Sequence, residues 1–222
     1  MKKTVALLLL LVVLSSVCVF AQTNQFLSIE TSGGFSYEFY DSETDSSSSM
    51  GFSVYTGWEN EDFAVSLEAQ MSLDSYAAAF SYSRFFNNGL FAIGEVGVGA
   101  STTFRGFDIG GIGIFGVRLA GIGRSWMDIG LGLNYNYVKY AALDETYSDL
   151  ALCLVLDDYC PISDSLTLVC GATIGDISIF SKYKESAGTW ENNTDKFFGI
   201  IMRAGLKYSF PAEGFKPHLK TK

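Results

Sequence analysis

Side chains alternate between apolar and polar or small along almost the whole of this sequence. In GIIMRAGLKYSF, residues 199–210, the even positions are apolar or aromatic, and the odd positions are mostly polar or small. Successive side chains of a β-strand point to opposite faces, so a period of two predicts a strand with one apolar face. After the first 21 residues, no segment sustains a period of 3.6. The chain is therefore predicted to be all-β, with almost no helix.

The alternation divides the chain into about ten strands separated by segments rich in turn residues. The predicted strands are 25–40, 50–59, 63–73, 76–86, 90–104, 109–120, 126–140, 149–158, 165–181 and 196–210. The strand at 165–181 alternates least regularly. An arrangement of about eight strands is the nearest alternative.

The first 21 residues, MKKTVALLLLLVVLSSVCVFA, have the layout of a secretory signal peptide. Lys2 and Lys3 precede an apolar run from Val5 to Leu14, and the sequence VFA at 19–21 fits a cleavage site. We expect cleavage after Ala21, with an uncleaved membrane-anchor helix as the alternative. Residues 22–210 are then the folded domain.

The connections favour strands that cross a membrane. After residue 21 the longest uninterrupted apolar run is LALCLVL at 150–156, far short of the roughly 18 residues of a membrane helix. Alternate connections are mostly longer and more polar, and the others are short with turn residues. The first set is 41–49, 74–75, 105–108, 141–148 and 182–195, and the second is 60–61, 87–89, 121–125 and 159–164. Long loops at one end and short turns at the other are typical of transmembrane β-barrels with an even number of strands.

Two features place the apolar face on the outside. The other face consists mostly of Gly, Ala and Ser, and charged residues are 18% of the chain, below the roughly 25% of soluble domains. Several large aromatics lie at strand ends, as in the aromatic girdles of membrane barrels. The outward positions are predicted to be odd in 25–40, 63–73, 109–120 and 126–140, and even in 50–59, 76–86, 90–104 and 196–210. A soluble secreted or periplasmic β-barrel that binds a ligand, with its apolar face inside, is the alternative.

These features together resemble those of a small bacterial outer-membrane β-barrel protein over residues 25–210. The resemblance implies a closed up-and-down antiparallel transmembrane β-barrel in the bacterial outer membrane, surrounded by its lipid. In that family the last strand ends in Phe after alternating apolar residues, which here are Leu206, Tyr208 and Phe210. The resemblance implies that these three form the signal read by the outer-membrane assembly machinery. The chain departs from the family by continuing to Lys222, and residues 211–222 are expected to form a periplasmic tail.

Charged residues on the inward face form the candidate site. They are Glu30, Glu68, Glu95, Arg118, Asp128, Arg203 and Lys207. Unpaired charges in a narrow lumen are costly, so carboxylates are predicted to face cations. Glu30 and Arg203 are predicted to meet, because the first and last strands of a closed barrel are neighbours. Such pairs either fill the lumen, which about eight strands leave just wide enough for side chains, or line a narrow pore for small solutes or ions. The filled lumen is the favoured interpretation.

The predicted role is therefore that of a structural or adhesive surface barrel. An extracellular ligand would contact the loops at 41–49 and 182–195. A net charge of −9 argues against a nucleic-acid partner. Enzymatic barrels of the resembled family use a His on the rim, whereas the single His of this chain is His218, in the tail. Catalysis, a bound metal and a cofactor are not predicted.

Three cysteines remain after residue 21, namely Cys153, Cys160 and Cys170. If the turn at 159–164 is symmetric, Cys153 lies opposite Cys170. A cross-strand disulfide between these two is then predicted in an oxidising compartment. Three free thiols are the alternative, because directly paired strand positions strain a disulfide.

Overall fold

The computed structural model describes residues 23–39, 44–103, 105–185, 188–192 and 196–210. The predicted signal peptide, the predicted tail and His218 lie outside the described residues. The strands are β1 (Asn24–Phe39), β2 (Thr44–Glu59), β3 (Phe63–Ser72), β4 (Ser75–Phe85), β5 (Leu90–Ser101), β6 (Gly106–Ala120), β7 (Trp126–Tyr140), β8 (Glu145–Pro161), β9 (Leu166–Glu185), β10 (Glu191–Asn192) and β11 (Lys196–Phe210). In the described part of the chain, no helix is long and apolar enough to cross a membrane.

The sheet closes on itself. From β1 to β9 each strand pairs antiparallel with the next, β9 also pairs with β11, and β11 returns to β1. The closing register runs from Gln25 opposite Phe210 to Phe39 opposite Lys196. The two-residue β10 adds to β9 through Glu191 and Tyr183 and is not part of the closed cylinder. The described strands thus form a ten-stranded up-and-down barrel, which confirms the predicted fold and excludes the eight-stranded alternative.

The apolar face of the barrel is on the outside. On β7, the outward Leu131 is 67% exposed, whereas the inward Asp128 is 5% exposed. The same contrast recurs around the barrel at the predicted outward positions. Exposed large side chains there include Leu27, Ile29, Phe52, Phe80, Val96, Phe115, Met202 and Leu206. The predicted faces are confirmed, and the soluble alternative is wrong because these side chains do not gather in an interior.

Several predicted loops are strand instead. β2 already begins at Thr44, the β7–β8 connection is only 141–144, and β9 continues to Glu185. In β2 the serines of the predicted loop 41–49 pair with β1, and the Ser36 and Ser47 hydroxyl oxygens lie 2.7 Å apart. Backbone hydrogen bonds hold the serine-rich start of β2 against β1, although β2 itself has no apolar face there. The prediction from hydrophobic alternation alone therefore made these strands too short at this end of the barrel.

β9 alternates irregularly because its register against β8 shifts twice. The shifts lie between Leu150 and Ala151 and between Leu152 and Cys153. On β9 they leave Asp176 and Ile179 without a partner on β8. Each such β-bulge adds one residue to one strand and reverses the alternation that follows it.

The predicted disulfide is wrong because the β8–β9 turn lies later than expected. β8 extends to Pro161, which pairs with Thr167, so Cys153 lies opposite Gly175 and Cys170 opposite Asp158. Cys153 is buried on the inward face, and Cys170 is exposed on the outward face. All three cysteines are free.

Candidate functional site

Arg203 is the centre of a charge cluster that spans four neighbouring strands. Its Nη2 lies 2.5 Å from Asp157 Oδ2 on β8, and its Nε lies 4.0 Å from Glu30 Oε2 on β1. The predicted meeting of Glu30 and Arg203 across the closing seam is confirmed. Asp157 was not predicted as a partner, because β9 separates its strand from β11. We call Glu30, Arg203 and Asp157 the lumen triad.

Glycines make room for the lumen triad. Gly171 on β9 lies opposite both Arg203 and Asp157 in the sheet. A Cβ added to Gly171 would lie 2.8 Å from Arg203 Nε and would collide with Asp157 Oδ1. Gly205 lies opposite Glu30, and a Cβ there would collide with the Glu30 side chain. Arg203 can therefore reach across β9 because Gly171 has no side chain, and Glu30 has room because Gly205 has none.

Arg118 and Asp128 form a second ion pair nearer the periplasmic turns. They are direct neighbours on β6 and β7. Arg118 Nε and Nη2 donate to Asp128 Oδ1 and Oδ2 at 2.8 and 2.7 Å. The guanidinium carbon also lies 4.3 Å from the Phe85 ring centre and 5.4 Å from that of Trp126. This two-point pairing between aromatic faces fixes the guanidinium in place.

A third ion pair joins Lys207 and Glu59 across β1. Lys207 Nζ lies 2.5 Å from Glu59 Oε2, and the Ser209 hydroxyl donates to Glu59 Oε1 at 3.3 Å. The ammonium also lies 4.3 Å from the Phe26 ring centre. Glu59 was missed by the sequence prediction, although it ends β2 on the polar face and the strand's alternation places it inward.

Glu68 and Glu95 differ from the other predicted members of the site. Among the described residues, neither forms an ion pair. Glu68 lies opposite Tyr55, and Glu95 lies opposite Ser81 and Ile112. Their expected cation partners are taken by Glu30, Asp157, Asp128 and Glu59. The prediction that every carboxylate of this set meets a cation is therefore wrong for these two.

Two cavities explain how these carboxylates are accommodated. A cavity of about 340 Å³ on the periplasmic side is lined by the three ion pairs and by Glu95. A second, of about 210 Å³, is lined by Glu68 and Glu95 together with Asn134 and Asn136. A water molecule occupies about 30 Å³ of liquid, so both spaces hold several. Both carboxylates thus border open space in the lumen that is large enough for water.

Buried aromatic rings narrow the periplasmic half of the lumen further. Phe91, which is 2% exposed, packs against Gly116 and Gly130 on the next two strands. Phe26, also buried, lies over Gly57. Trp126 and Tyr159 stack with ring centres 5.1 Å apart. Rings and ion pairs together narrow this half of the barrel around the larger cavity.

The last strand presents the predicted assembly signal to the outside. Leu206, Tyr208 and Phe210 are 47%, 44% and 49% exposed on the outward face of β11. The rings of Tyr208 and Phe210 meet edge to face at 4.9 Å. These side chains are accessible along the seam that closes the barrel.

A closed antiparallel sheet satisfies its backbone hydrogen bonds without water, and here its exterior is apolar and its interior charged. These features define a bacterial outer-membrane β-barrel, and they place the protein in the outer membrane.

No protein-family model matches the sequence, and no curated protein matches it either. Among solved structures, the chain is similar to neisserial surface protein A, at 11% identity over 83% of this chain and 97% of that one, with a TM-score of 0.38. It is similar to the outer-membrane protease OmpT of Escherichia coli, at 9% identity over 88% and 100%, with a TM-score of 0.43. It is also similar to OprG of Pseudomonas aeruginosa, at 12% identity over 85% and 97%, with a TM-score of 0.41. The class assigned above rests on the closed sheet and its apolar exterior, not on these likenesses.

Proposed function

We propose that the protein is a non-enzymatic surface barrel whose lumen is closed to solutes by its own side chains. The observation that supports this most is the lumen triad, in which Arg203 reaches across β9 to Asp157 and lies beside Glu30. Replacing either partner of such a pair leaves an uncompensated charge in the barrel, so the pairs hold one another in place. The buried aromatic rings narrow the same half of the lumen.

Planar-bilayer recording tests the closed lumen. The refolded protein should give no steady single-channel current. Substitution of the triad, Arg203→Ser with Asp157→Ser, should open a measurable conductance. The matched control is Arg124→Gln, which removes an exposed ion pair with Asp164 in the periplasmic turns and should stay silent. Steady currents from the unaltered protein would instead support the alternative function, a narrow pore for small solutes or ions.

A closed lumen leaves the extracellular surface as the functional part, and we propose an adhesive role for it. The β1–β2 hairpin continues seven residue pairs beyond Gly51, from Gly33 opposite Met50 to Phe39 opposite Thr44, whereas β3 ends at Ser72, opposite Gly51. The β8–β9 hairpin likewise continues to Glu145 opposite Glu185. These hairpin extensions contain parts of the predicted contact segments 41–49 and 182–195.

Segment exchange tests the adhesive role. A non-adherent strain that displays the protein should bind epithelial-cell monolayers. Replacing 182–195 by a short Gly-Ser turn should abolish this binding. The control replaces the short connection at 102–105, which joins β5 to β6 and extends less far from the barrel. Binding that is unchanged by the first exchange, or equally lost in the control, would contradict the proposal.

A further inference from the structure

Three lysines lie together on the outward face at the extracellular ends of β7 and β9. Lys139 lies opposite Thr146, which lies opposite Lys184, so these residues form one row across three strands. Lys182 lies opposite Ser148 in the next outward row. Residues paired across strands share a face, so all three ammonium groups are on the outside of the barrel. We call Lys139, Lys182 and Lys184 the lysine patch.

The height of the lysine patch corresponds to the lipid headgroups. The outward residues of β7 below Lys139 are all apolar or aromatic, and they are Met127, Ile129, Leu131, Leu133, Tyr135 and Tyr137. From Met127 to Tyr137 a strand rises about 33 Å, at about 3.3 Å per residue. A tilt of about 40° reduces this to about 25 Å, which is the height of the apolar band in such barrels. Lys139 is the first outward residue beyond that band on β7.

The lysine patch has no acidic neighbour on its own face. Among the described residues, none of the three lysines forms an ion pair. The nearest carboxylates in the register are Glu145, Asp149, Glu185 and Glu191, and their pairings place all four on the opposite face of these strands. Glu145 and Asp149 accept hydrogen bonds from Tyr147 and Ser178. Within the described structure, no ion pair thus neutralises the lysines of the patch, although the whole chain carries −9.

Aromatic rings hold the lysines at this level. Lys184 Nζ lies 5.8 Å from the Trp190 ring centre, and Lys182 Nζ lies 5.8 Å from that of Phe180. Tyr135 lies opposite Leu150, and Leu150 opposite Phe180, so aromatic and aliphatic side chains continue below the patch. Aromatic residues are enriched where a membrane protein crosses from hydrocarbon to headgroups.

We propose that the lysine patch binds the phosphate groups of lipid headgroups in the outer leaflet. Lysine binds phosphate as a point charge, and a lysine near a membrane surface contributes about a fivefold gain in affinity for anionic lipid. Acyl chains below such a headgroup lie against the exposed apolar residues of β7, β8 and β9. The partner is therefore a phosphorylated lipid, bound at one side of the barrel, and its binding is independent of the state of the lumen.

Native mass spectrometry of the refolded mature protein in detergent micelles tests this proposal. The probes are phosphatidic acid and diacylglycerol with the same acyl chains. Phosphatidic acid should bind far more tightly than diacylglycerol. The triple variant Lys139→Gln, Lys182→Gln, Lys184→Gln should lower its affinity by on the order of a hundredfold, at about fivefold per lysine. The matched control is Arg84→Gln, which removes an exposed outward cation near the opposite end of β4, where it lies opposite Phe63.

Heat-modifiable electrophoretic mobility establishes that each variant has folded. The proposal is overturned by equal binding of diacylglycerol, or by an equal loss of affinity in Arg84→Gln. It is also overturned if inorganic phosphate displaces phosphatidic acid at equal concentration, which would indicate a site for free anions. Tighter binding of a sulfated oligosaccharide than of phosphatidic acid would assign the patch to a soluble polyanion and overturn it as well.

Discussion

At the scale of single residues, the interior of this barrel depends on which positions have no side chain. Gly171 and Gly205 lie beneath the lumen triad, and Gly116 and Gly130 lie beneath Phe91. Large inward side chains lie flat across neighbouring strands at these points. The glycines of the inward face thus have a packing role, because they leave the space that larger inward side chains occupy.

Gly171→Val should separate Arg203 from Asp157, because its side chain occupies the space of their ion pair. We expect a loss of about 3 kcal/mol in the free energy of unfolding, since both charges lose their partner in the lumen. Urea titration of the protein in lipid vesicles, followed by tryptophan fluorescence, measures this. Gly113→Ala is the matched control, because no atom lies within 4 Å of a Cβ at Gly113, and its change should stay within about 0.5 kcal/mol. Equal effects of both substitutions would contradict the packing role of Gly171.

The Arg118–Asp128 pair makes a similar prediction in a double-mutant cycle. Arg118→Met alone should destabilise the barrel by about 3 kcal/mol, because Asp128 is buried and would lose its partner. The double variant Arg118→Met, Asp128→Leu should recover much of this loss, since it removes both charges. The same urea titration gives both values. Additive losses in the double variant would show that the two side chains are not coupled.

At the scale of secondary-structure elements, the sequence predicts strands well where one face is apolar and poorly where it is not. Trp126–Tyr140 and Lys196–Phe210 have the predicted bounds, because alternation persists to both ends. The serine-rich start of β2 was missed because pairing there needs only backbone hydrogen bonds. The bulges of β9 were missed because each one shifts the alternation of apolar and polar residues by one position. In the sequence alone, that shift looks like irregular alternation.

The candidate site was predictable to the same extent as the strands that carry it. Glu30 and Arg203 could be placed together because ring closure makes β1 and β11 neighbours whatever the turns do. Asp157 could not be placed with them, because its contact with Arg203 depends on the β8–β9 register and on the missing side chain at Gly171. The wrong disulfide has the same origin, since it assumed a symmetric turn.

The observed register of β8 and β9 predicts distinct reactivities for two cysteines. In micelles of the folded protein, a lipid-soluble maleimide should label Cys170, which is exposed on the outward face, and spare the buried Cys153. Both should react after unfolding in urea. Peptide mapping by mass spectrometry measures the label at each position. A Cys153–Cys170 disulfide in non-reduced protein would refute the register.

At the scale of the whole molecule, closure of the sheet determines both stability and assembly. Each barrel strand is paired on both sides along its membrane-spanning part, so no open edge faces lipid. The pairing of β11 with β1 closes the sheet and joins the two ends of the chain. The outward residues of β11 stay exposed in the closed barrel.

Phe210→Ala should lower the amount of barrel assembled in cells several-fold while leaving refolding into micelles nearly unchanged. Phe210 is half exposed and its ring contacts Tyr208, so its contribution to the folded state is small. Heat-modifiable mobility of outer-membrane fractions measures assembly. Phe115→Ala is the matched control, since Phe115 is also outward and exposed but lies on β6. An equal defect in both variants in cells would argue against a signal in the last strand.

Two hairpins, β1–β2 and β8–β9, extend further from the barrel than the β3–β4 connection. We call these two hairpins the crests. The β1–β2 crest rises about 23 Å along the strands above the end of β3, at about 3.3 Å for each of its seven additional residue pairs. The second crest is formed by β8 and β9, which only β11 separates from β1, whereas the turns joining β3 to β4 and β5 to β6 stay close to the bilayer. Antibodies raised against intact cells should accordingly map to the crests, because these extend beyond the lower turns of the barrel.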